Sequence, residues 1–327
     1  MKIGLDTAPA ALRGTYFQHL ASVLARYAPE HEYIIGAEVN DGVDLYHGFR
    51  SSLPLSVHLR RVPSVMTVPN LNFLRYPHLY TFAERLFVLT LYRRALRRAG
   101  RVITAPAREE LSERLNIDPS KIEVMVSLAV PAPRGNPSQA KLEHVRRKYA
   151  LPEHFILMIG TVEPRHNHQA VFAALADAAS PAGVVVCGRR TAWSDYLLGY
   201  ARARRIAARV DFIYELTPSD LPALFRLARV FAYLPDADAE ASVVPVVEAL
   251  RAGLPMVLSD TQVNREAAGE AAAYVRPEAR GEVLAALENA LEDVSWRRTM
   301  QERERRRAEL FSEYAVAERL MQIYTSL

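Results

Sequence analysis

The sequence predicts an α/β protein built as two doubly wound parallel sheets, each flanked by helices and joined by one linker. Three observations carry this. Short apolar runs of strand length alternate with longer stretches of helical period, and the series runs through the chain twice. Between the two series lies Pro131-Ala132-Pro133-Arg134-Gly135-Asn136-Pro137, whose three prolines, glycine and asparagine read as a linker. The chain has 327 residues, 50% hydrophobic and 24% charged, which suits about two soluble globular domains rather than a disordered, collagenous or coiled-coil chain.

In the first half, Lys2 to Leu5 reads as a strand, Thr15 to Tyr27 as an amphipathic helix and Glu32 to Ile35 as a second strand. Ser64 to Val68 and Arg101 to Thr104 follow as strands, with helical segments between. The second half repeats the pattern. Phe155 to Ile159 is a strand, with a helix from His168; Gly183 to Cys187 is a strand, with a helix to Ala208; Val210 to Ile213 is a strand, with a helix from Pro218. Val230 to Tyr233, Pro255 to Leu258 and Ala272 to Val275 are the remaining strands. Strand–helix alternation implies right-handed crossovers and parallel sheets. Ligands of such sheets bind at the carboxyl ends of the strands, here expected in a cleft between the domains. The expected organisation is a first domain over 1–137, a second over 138–312 and a last helix over 313–327 that crosses back to the first.

Composition narrows the function. Cys187 is the single cysteine, so no internal disulfide forms and a reducing compartment is expected. The chain opens without an apolar signal region, and its longest apolar runs fall far short of the ~20 residues a membrane-spanning helix needs. The expectation is a cytoplasmic protein. A formal charge of +4, from 41 basic against 37 acidic residues, is too small and mixed to point to nucleic acid.

The chemistry concentrates in Glu240-Ala-Ser-Val243-Val244-Pro245-Val-Val-Glu248-Ala-Leu-Arg-Ala-Gly253. Pro245 suits a first helical position and Gly253 a helix end, so a short helix starts near Pro245. A helix N-terminus binds phosphate through its unpaired amides. A carboxylate near it, such as Glu248, can accept hydrogen bonds from a pair of sugar hydroxyls. The bland alternatives are a solvated acidic loop for Glu240 and a dipole-stabilised helix carboxylate for Glu248. Asp236-x-Asp238 mimics a metal-binding pair, but its position before this segment makes coincidence the better reading, and no metal site is expected.

These residues reach a family. The Glu-x7-Glu spacing, with Ala-Leu-Arg-Ala-Gly-Leu-Pro after it, resembles the signature of retaining GT-B glycosyltransferases, specifically glycosyltransferase family 4. Gly160-Thr-Val-Glu-Pro-Arg165-His166-Asn167 resembles that family's phosphate loop, Leu216 to Ala228 the helix before the signature, and Asp118-Pro-Ser-Lys-Ile-Glu-Val a segment near the end of its first domain. Asp44-Leu-Tyr-His47 matches an Asp-x-x-His pattern there.

The resemblance implies a GT-B fold and transfer of a sugar from a nucleotide diphosphate sugar to a glycan or lipid-linked acceptor, as in polysaccharide biosynthesis. It gives Glu248 the ribose hydroxyls, Glu240 the transferred sugar, Arg165 and His166 the diphosphate, and Val243 and Val244 the donor-side backbone. Gly14 matches the first-domain glycine loop, where a bare backbone approaches phosphates. His47 is the first-domain catalytic candidate. No metal or other cofactor is implied, since cationic side chains and helix dipoles neutralise the leaving diphosphate.

The departures fall on the same site. The family usually has Lys where this chain has His166, Glu-Gly-Phe-Gly where it has Glu240-Ala-Ser-Val243, and a Thr-x-His-Asp turn where it has Thr67-Val-Pro69-Asn70. A catalytically weakened binding or partner subunit is therefore the alternative. A nicotinamide-dependent enzyme would need Gly-x-Gly-x-x-Gly after the first strand, which Leu5 to Gly14 lacks. Arg85, Arg93, Arg94, Arg97, Arg98 and Arg101 crowd one stretch after Phe73, Tyr76, Tyr80 and Phe82. Such a basic, aromatic surface would suit peripheral contact with an anionic membrane; a solvated arginine face is the plainer reading.

Overall fold

A computed structural model describes residues 1–6, 15–36, 42–49, 53–54, 57, 60–68, 71, 74, 81–82, 86, 88–104, 108–125, 135–236 and 243–327. The chain divides into two compact units, Met1–Ala132 with Leu310–Leu327, and Pro133–Glu309.

Unit 1 holds a six-stranded parallel sheet: β1 (Lys2–Leu5), β2 (Glu32–Ile35), β3 (Leu45–Gly48), β4 (Ser64–Val68), β5 (Arg101–Thr104) and β6 (Ile122–Val124), in the order β2-β1-β3-β4-β5-β6. β3 and β6 escape a reading by composition. They are four and three residues long, and β3 reads Leu-Tyr-His-Gly, without a β-branched residue. Its burial on every residue comes from its central place in the sheet, which only long-range pairing supplies. Among the described residues, the helices of this part are α1 (Thr15–Tyr27), α2 (Arg93–Arg98), which a π-helical turn over Val88–Tyr92 leads into, and α3 (Arg108–Leu115).

Unit 2 carries a second six-stranded parallel sheet: β7 (Phe155–Ile159), β8 (Gly183–Cys187), β9 (Val210–Ile213), β10 (Val230–Tyr233), β11 (Met256–Ser259) and β12 (Ala273–Val275), ordered β12-β11-β10-β7-β8-β9. Its helices are α4 (Gln139–Lys148), α5 (His168–Asp177), α6 (Ala192–Ala203), α7 (Leu221–Leu227), α8 (Val244–Ala252), α9 (Gln262–Ala268), α10 (Arg280–Glu292) and α11 (Val294–Glu309). α6 stops at Ala203 rather than Ala208, because Ala207–Arg209 tightens into a 3-10 turn that delivers the chain to β9. The helix expected from Pro218 likewise opens with a 3-10 turn, Pro218–Asp220, before α7. Caps start the helices where the sequence offers hydroxyls: Ser138 accepts from the Lys141 amide, Thr191 and Ser194 form a capping box, and Thr261 accepts from the Asn264 amide. The core between sheet and helices is mostly aliphatic, with Ile156, Val184, Val186, Val230 and Val257 from the strands and Val171, Phe172, Leu197 and Leu287 from the helices.

The chain then returns to unit 1 as α12 (Glu313–Thr325), capped by Ser312. Ala317, Leu320, Ile323 and Tyr324 pack with Leu20 and Leu24 of α1 and with Ile3, Leu5 and Leu45 of the sheet. Arg26 pairs with Glu313 at 3.0 Å and Arg319 with Glu123 at 2.7 Å, which fixes α12 to α1 and β6. The last helix is therefore part of the core of unit 1.

Candidate functional site

The strand order of unit 2 creates a switch point. From β7 the chain winds one way through β8 and β9, then starts again on the other side of β7 with β10. Loops leaving the carboxyl ends of β7 and β10 therefore diverge, and the crevice between them is the natural ligand site of a doubly wound sheet. Residues 160–167 follow β7, and the segment after β10 leads into α8.

The two loops are fastened together at this point. The Asp236 amide donates to the Arg165 carbonyl at 2.9 Å. Asn167, in the left-handed region at φ 52°, donates its side-chain amide to the Leu234 carbonyl at 2.9 Å and to an Asp236 carboxylate oxygen at 2.6 Å. Asp236 is thus a tether between strand ends, which gives the first acid of Asp236-x-Asp238 a structural duty. The neighbouring strand end closes in through Gly188: a Cβ there would meet the Gly160 carbonyl oxygen at 1.7 Å. Only glycine allows that approach.

Arg165 sits in the 3-10 turn Pro164–His166, its side chain 43% exposed, with Nε donating to Glu163 at 2.7 Å. Arg189, at the carboxyl end of β8, lies 3.9 Å from the other oxygen of Glu163. One carboxylate thereby holds two guanidinium groups beside the strand ends.

His166 lies over Gly160, its ring 6.2 Å from that of Tyr233 and 6.0 Å from that of His168. Its Nδ1 is buried with no hydrogen-bond partner among the described residues. Burial, and then the Arg165 charge, hold the imidazole below its ordinary pKa, while Glu163 and Asp236 pull the other way. His168, almost wholly buried behind it, is pushed down to about 4 by burial and by His166, with the Glu163 carbonyl opposing. Both rings are therefore neutral near pH 7 in this state.

α8 begins at Val244, with Pro245 in its first turn and Gly253 at φ 61° ending it. Val243 is the cap residue. It offers no capping side-chain hydrogen bond and its side chain is buried, so whatever it presents to a ligand is backbone. Glu248, one turn further on, is 6% exposed and lies 3.8 Å from Arg251.

The structure thus places Arg165, His166, Val243, Val244 and Glu248 on the segments that leave β7 and β10. Glu240 and Gly14 lie outside the described residues. Glu163, Asn167 and Arg189 join the site without having been singled out, and Asp236 joins it as a tether rather than as half of a metal pair. The first two stand in the phosphate-loop motif itself, and Gly188-Arg189-Arg190 directly after a strand was a readable sign of a strand-end cation pair.

His47, in unit 1, is set differently from a side chain that touches substrate. It is wholly buried near the end of β3, Nδ1 bonded to the Tyr324 hydroxyl at 2.6 Å and Nε2 to the Thr67 hydroxyl at 2.7 Å, stacked on Phe49 at 4.2 Å. Burial pushes its pKa down to about 3. Its carbonyl accepts from the Asp6 amide at 2.9 Å, joining the ends of β3 and β1 at the switch point of this sheet. In this setting His47 positions the strand ends. Of the arginine-rich stretch, Arg93 and Arg97 each spend Nε on a backbone carbonyl, of Leu115 and Asn116; Arg85, Phe73, Tyr76 and Tyr80 lie outside the described residues.

Two parallel six-stranded sheets, each with its switch point and its helices, define a GT-B glycosyltransferase fold. The chain belongs to the family of glycosyl transferases group 1, whose model matches residues 142–307, just over half of the chain and nearly all of unit 2. It is 24% identical over 230 residues to O-antigen chain mannosyltransferase RfbU of Salmonella typhimurium, covering 68% of this chain and 60% of the relative. It is 26% identical over 276 residues to O-antigen chain mannosyltransferase B of Escherichia coli, covering 82% and 70%. The chain therefore spans under two thirds of the first relative's length. The crystal structure of Anabaena HepE in complex with UDP superposes with a TM-score of 0.73 at 13% identity, over the whole of both chains.

Proposed function

We propose that the chain transfers a sugar from a nucleotide diphosphate sugar to a glycan or lipid-linked acceptor in cytoplasmic polysaccharide biosynthesis, with retention at the anomeric carbon and without a metal. The observation that carries this is the unit 2 switch point, where Arg165, Arg189 and the start of α8 stand on adjoining strand-end segments. Cations and a helix start gathered at strand ends suit a diphosphate, and they stabilise it further as it becomes a leaving group. Glu248, one turn into α8, takes the ribose hydroxyls; Glu240 takes the transferred sugar; Gly14 lets the unit 1 backbone approach phosphate. The names of the similar mannosyltransferases support a hexose, and HepE bound to UDP supports a nucleoside diphosphate.

The test is calorimetric titration of UDP and GDP, followed by incubation with their hexose conjugates. One nucleotide is expected to bind, and Glu248→Ala is expected to weaken it by about 1.5–3 kcal/mol, the scale of hydrogen bonds to a charged group. Product anomers read by NMR are expected to keep the donor's configuration. Unaltered binding by Glu248→Ala would reduce that residue to a helix carboxylate, and nucleotide binding without hydrolysis or transfer would favour the binding-subunit reading.

A further inference from the structure

The loop after β7 carries one fixed cation. Arg165 keeps its charge at any pH a protein survives. The neighbouring ring of His166 has a buried Nδ1 without a hydrogen-bond partner among the described residues, and it is neutral near pH 7. A diphosphate brings more than one negative charge, and a helix start offers only a partial positive charge against it. The strand beside β7 holds a further cation.

Gly188, Arg189 and Arg190 directly follow β8. Their backbone is laced to the loop after β7. The Gly160 amide donates to the Cys187 carbonyl at 3.1 Å, and the Val162 amide to the Arg189 carbonyl at 3.1 Å. The Thr191 hydroxyl donates to the Val162 carbonyl. Residues 160–162 and 187–191 therefore form one continuous edge of the site.

The two arginines on that edge go different ways. Arg190 is held by Asp195 of α6 at 2.7 Å, and its guanidinium lies over the Tyr214 ring at 5.6 Å. Arg189 turns toward β7, where Glu163 Oε1 is 3.9 Å away. The other oxygen of that carboxylate holds Arg165 at 2.7 Å. Two guanidinium groups on the two oxygens of one carboxylate are close enough together to meet one phosphate-bearing anion. The Arg189 side chain is 77% exposed, and among the described residues its guanidinium has no hydrogen bond to give up to a ligand. Strand order fixes its approach. β7 lies between β10 and β8, so α8 and Arg189 reach the loop after β7 from opposite flanks.

We propose that Arg189 binds the donor diphosphate as the second cation of the site, supplying from the end of β8 the charge that position 166 does not. Arg165 and Arg189 then take the anion between them, each with a planar fork that suits phosphate oxygens. Glu163 holds both guanidinium groups at that place before the ligand arrives. The proposal rests on the reading of this site as a nucleotide diphosphate site and adds which side chain completes its charge.

Calorimetric titration of UDP and of GDP into the whole chain at pH 8 tests it. Whichever nucleotide binds the unmodified chain is expected to bind Arg189→Ala about tenfold or more weakly, the scale of one hydrogen bond to a charged group. The side chain is exposed, so its loss opens no cavity and leaves the fold intact. Arg190→Ala removes the same net charge one residue away and is expected to change affinity by less than about twofold. His166→Lys added to Arg189→Ala returns a cation to the loop after β7. It is expected to recover most of the loss, a larger gain than His166→Lys brings to the unmodified chain. Unaltered affinity in Arg189→Ala overturns the proposal. So does an equal loss in Arg190→Ala, which would mark a diffuse field, and so do equal gains from His166→Lys in both backgrounds, which would mark two independent charges. In each of these outcomes a nucleotide still binds and the reading of the site stands; if neither nucleotide binds the unmodified chain, both fall.

Discussion

His166 shows how one residue sets the terms of a site. Where the family carries a lysine, this chain carries an imidazole whose pKa is lowered by burial and by Arg165. The ligand-free site therefore has its fixed charge in Arg165 and Arg189 and a neutral ring between the loops. A diphosphate beside that ring favours imidazolium, so binding raises the pKa. Affinity gained this way is full below the free-state pKa, which lies under 6.5, and fades as pH rises through the bound-state value. UDP affinity is expected to fall between about pH 6 and 8, and His166→Lys to flatten the fall, since lysine stays charged. Calorimetry at three pH values reads this. Identical profiles for both proteins would show that His166 does not face the diphosphate.

At the scale of elements, two devices hold helices to their sheets. In unit 2, Asp220 is 1% exposed between α4 and α7. Burial alone would raise its pKa, but bonds from Lys141, from Lys148 at 2.7 Å and from the Tyr149 hydroxyl at 2.9 Å hold the carboxyl well below its ordinary range. Its stabilising effect is present above the ordinary carboxylate pKa and is lost as pH falls toward the lower folded value. Asp220→Asn keeps the shape and removes the charge. Because both lysines are about one third exposed, the expected loss is about 1–3 kcal/mol, measured by urea unfolding at neutral pH. In unit 1 the equivalent device is α12, whose Tyr324 closes the hydrogen-bond requirement of His47. A residue 277 positions away in sequence thereby decides whether a histidine at a strand end is offered to solvent or held in the core.

On the scale of the whole molecule, the two units respond to pH in opposite directions. Glu304 of unit 2 is wholly buried, neither carboxylate oxygen has a hydrogen-bond partner among the described residues, and burial pushes its pKa up to about 8. A raised folded pKa means that stability falls as pH climbs from the unfolded value near 4.5 toward 8, by about 1.4 kcal/mol per unit. His168 in the same unit and His47 in unit 1 have lowered values, about 4 and 3, so each removes stability as pH falls below 6.5. In unit 2 the Glu304 effect opposes those of His168 and His166 below 6.5, and the alkaline loss from Glu304 remains above. In unit 1 His47 lowers stability below 6.5. Scanning calorimetry is expected to show the unit 1 transition falling by about 2 kcal/mol between pH 6.5 and 5, and the unit 2 transition by about 2 kcal/mol between pH 6.5 and 8. Glu304→Gln is expected to abolish the alkaline loss; persistence of that loss would mean that Glu304 is not its source.

The sequence by itself determined the alternation of strands and helices, the two-sheet architecture and the family, because these rest on local periodicity, on capping residues and on motifs read within a few positions. Ten of the twelve described strands were legible for that reason, and so was the helix Val244–Ala252, where proline and the following Gly253 each have one good place. The two missed strands, Leu45–Gly48 and Ile122–Val124, are strands because of their neighbours across the sheet, which no local pattern encodes. Arg165, His166 and Glu248 were legible as types at a spacing. What they do in company was not: Asn167, Asp236 and Glu163 join the site through bonds across up to 69 residues. The tertiary structure alone decided the setting of His47, wrapped by Thr67 and by Tyr324 of the last helix, and the neutrality of His166. Burial fixes both, and burial is a property of the packed chain.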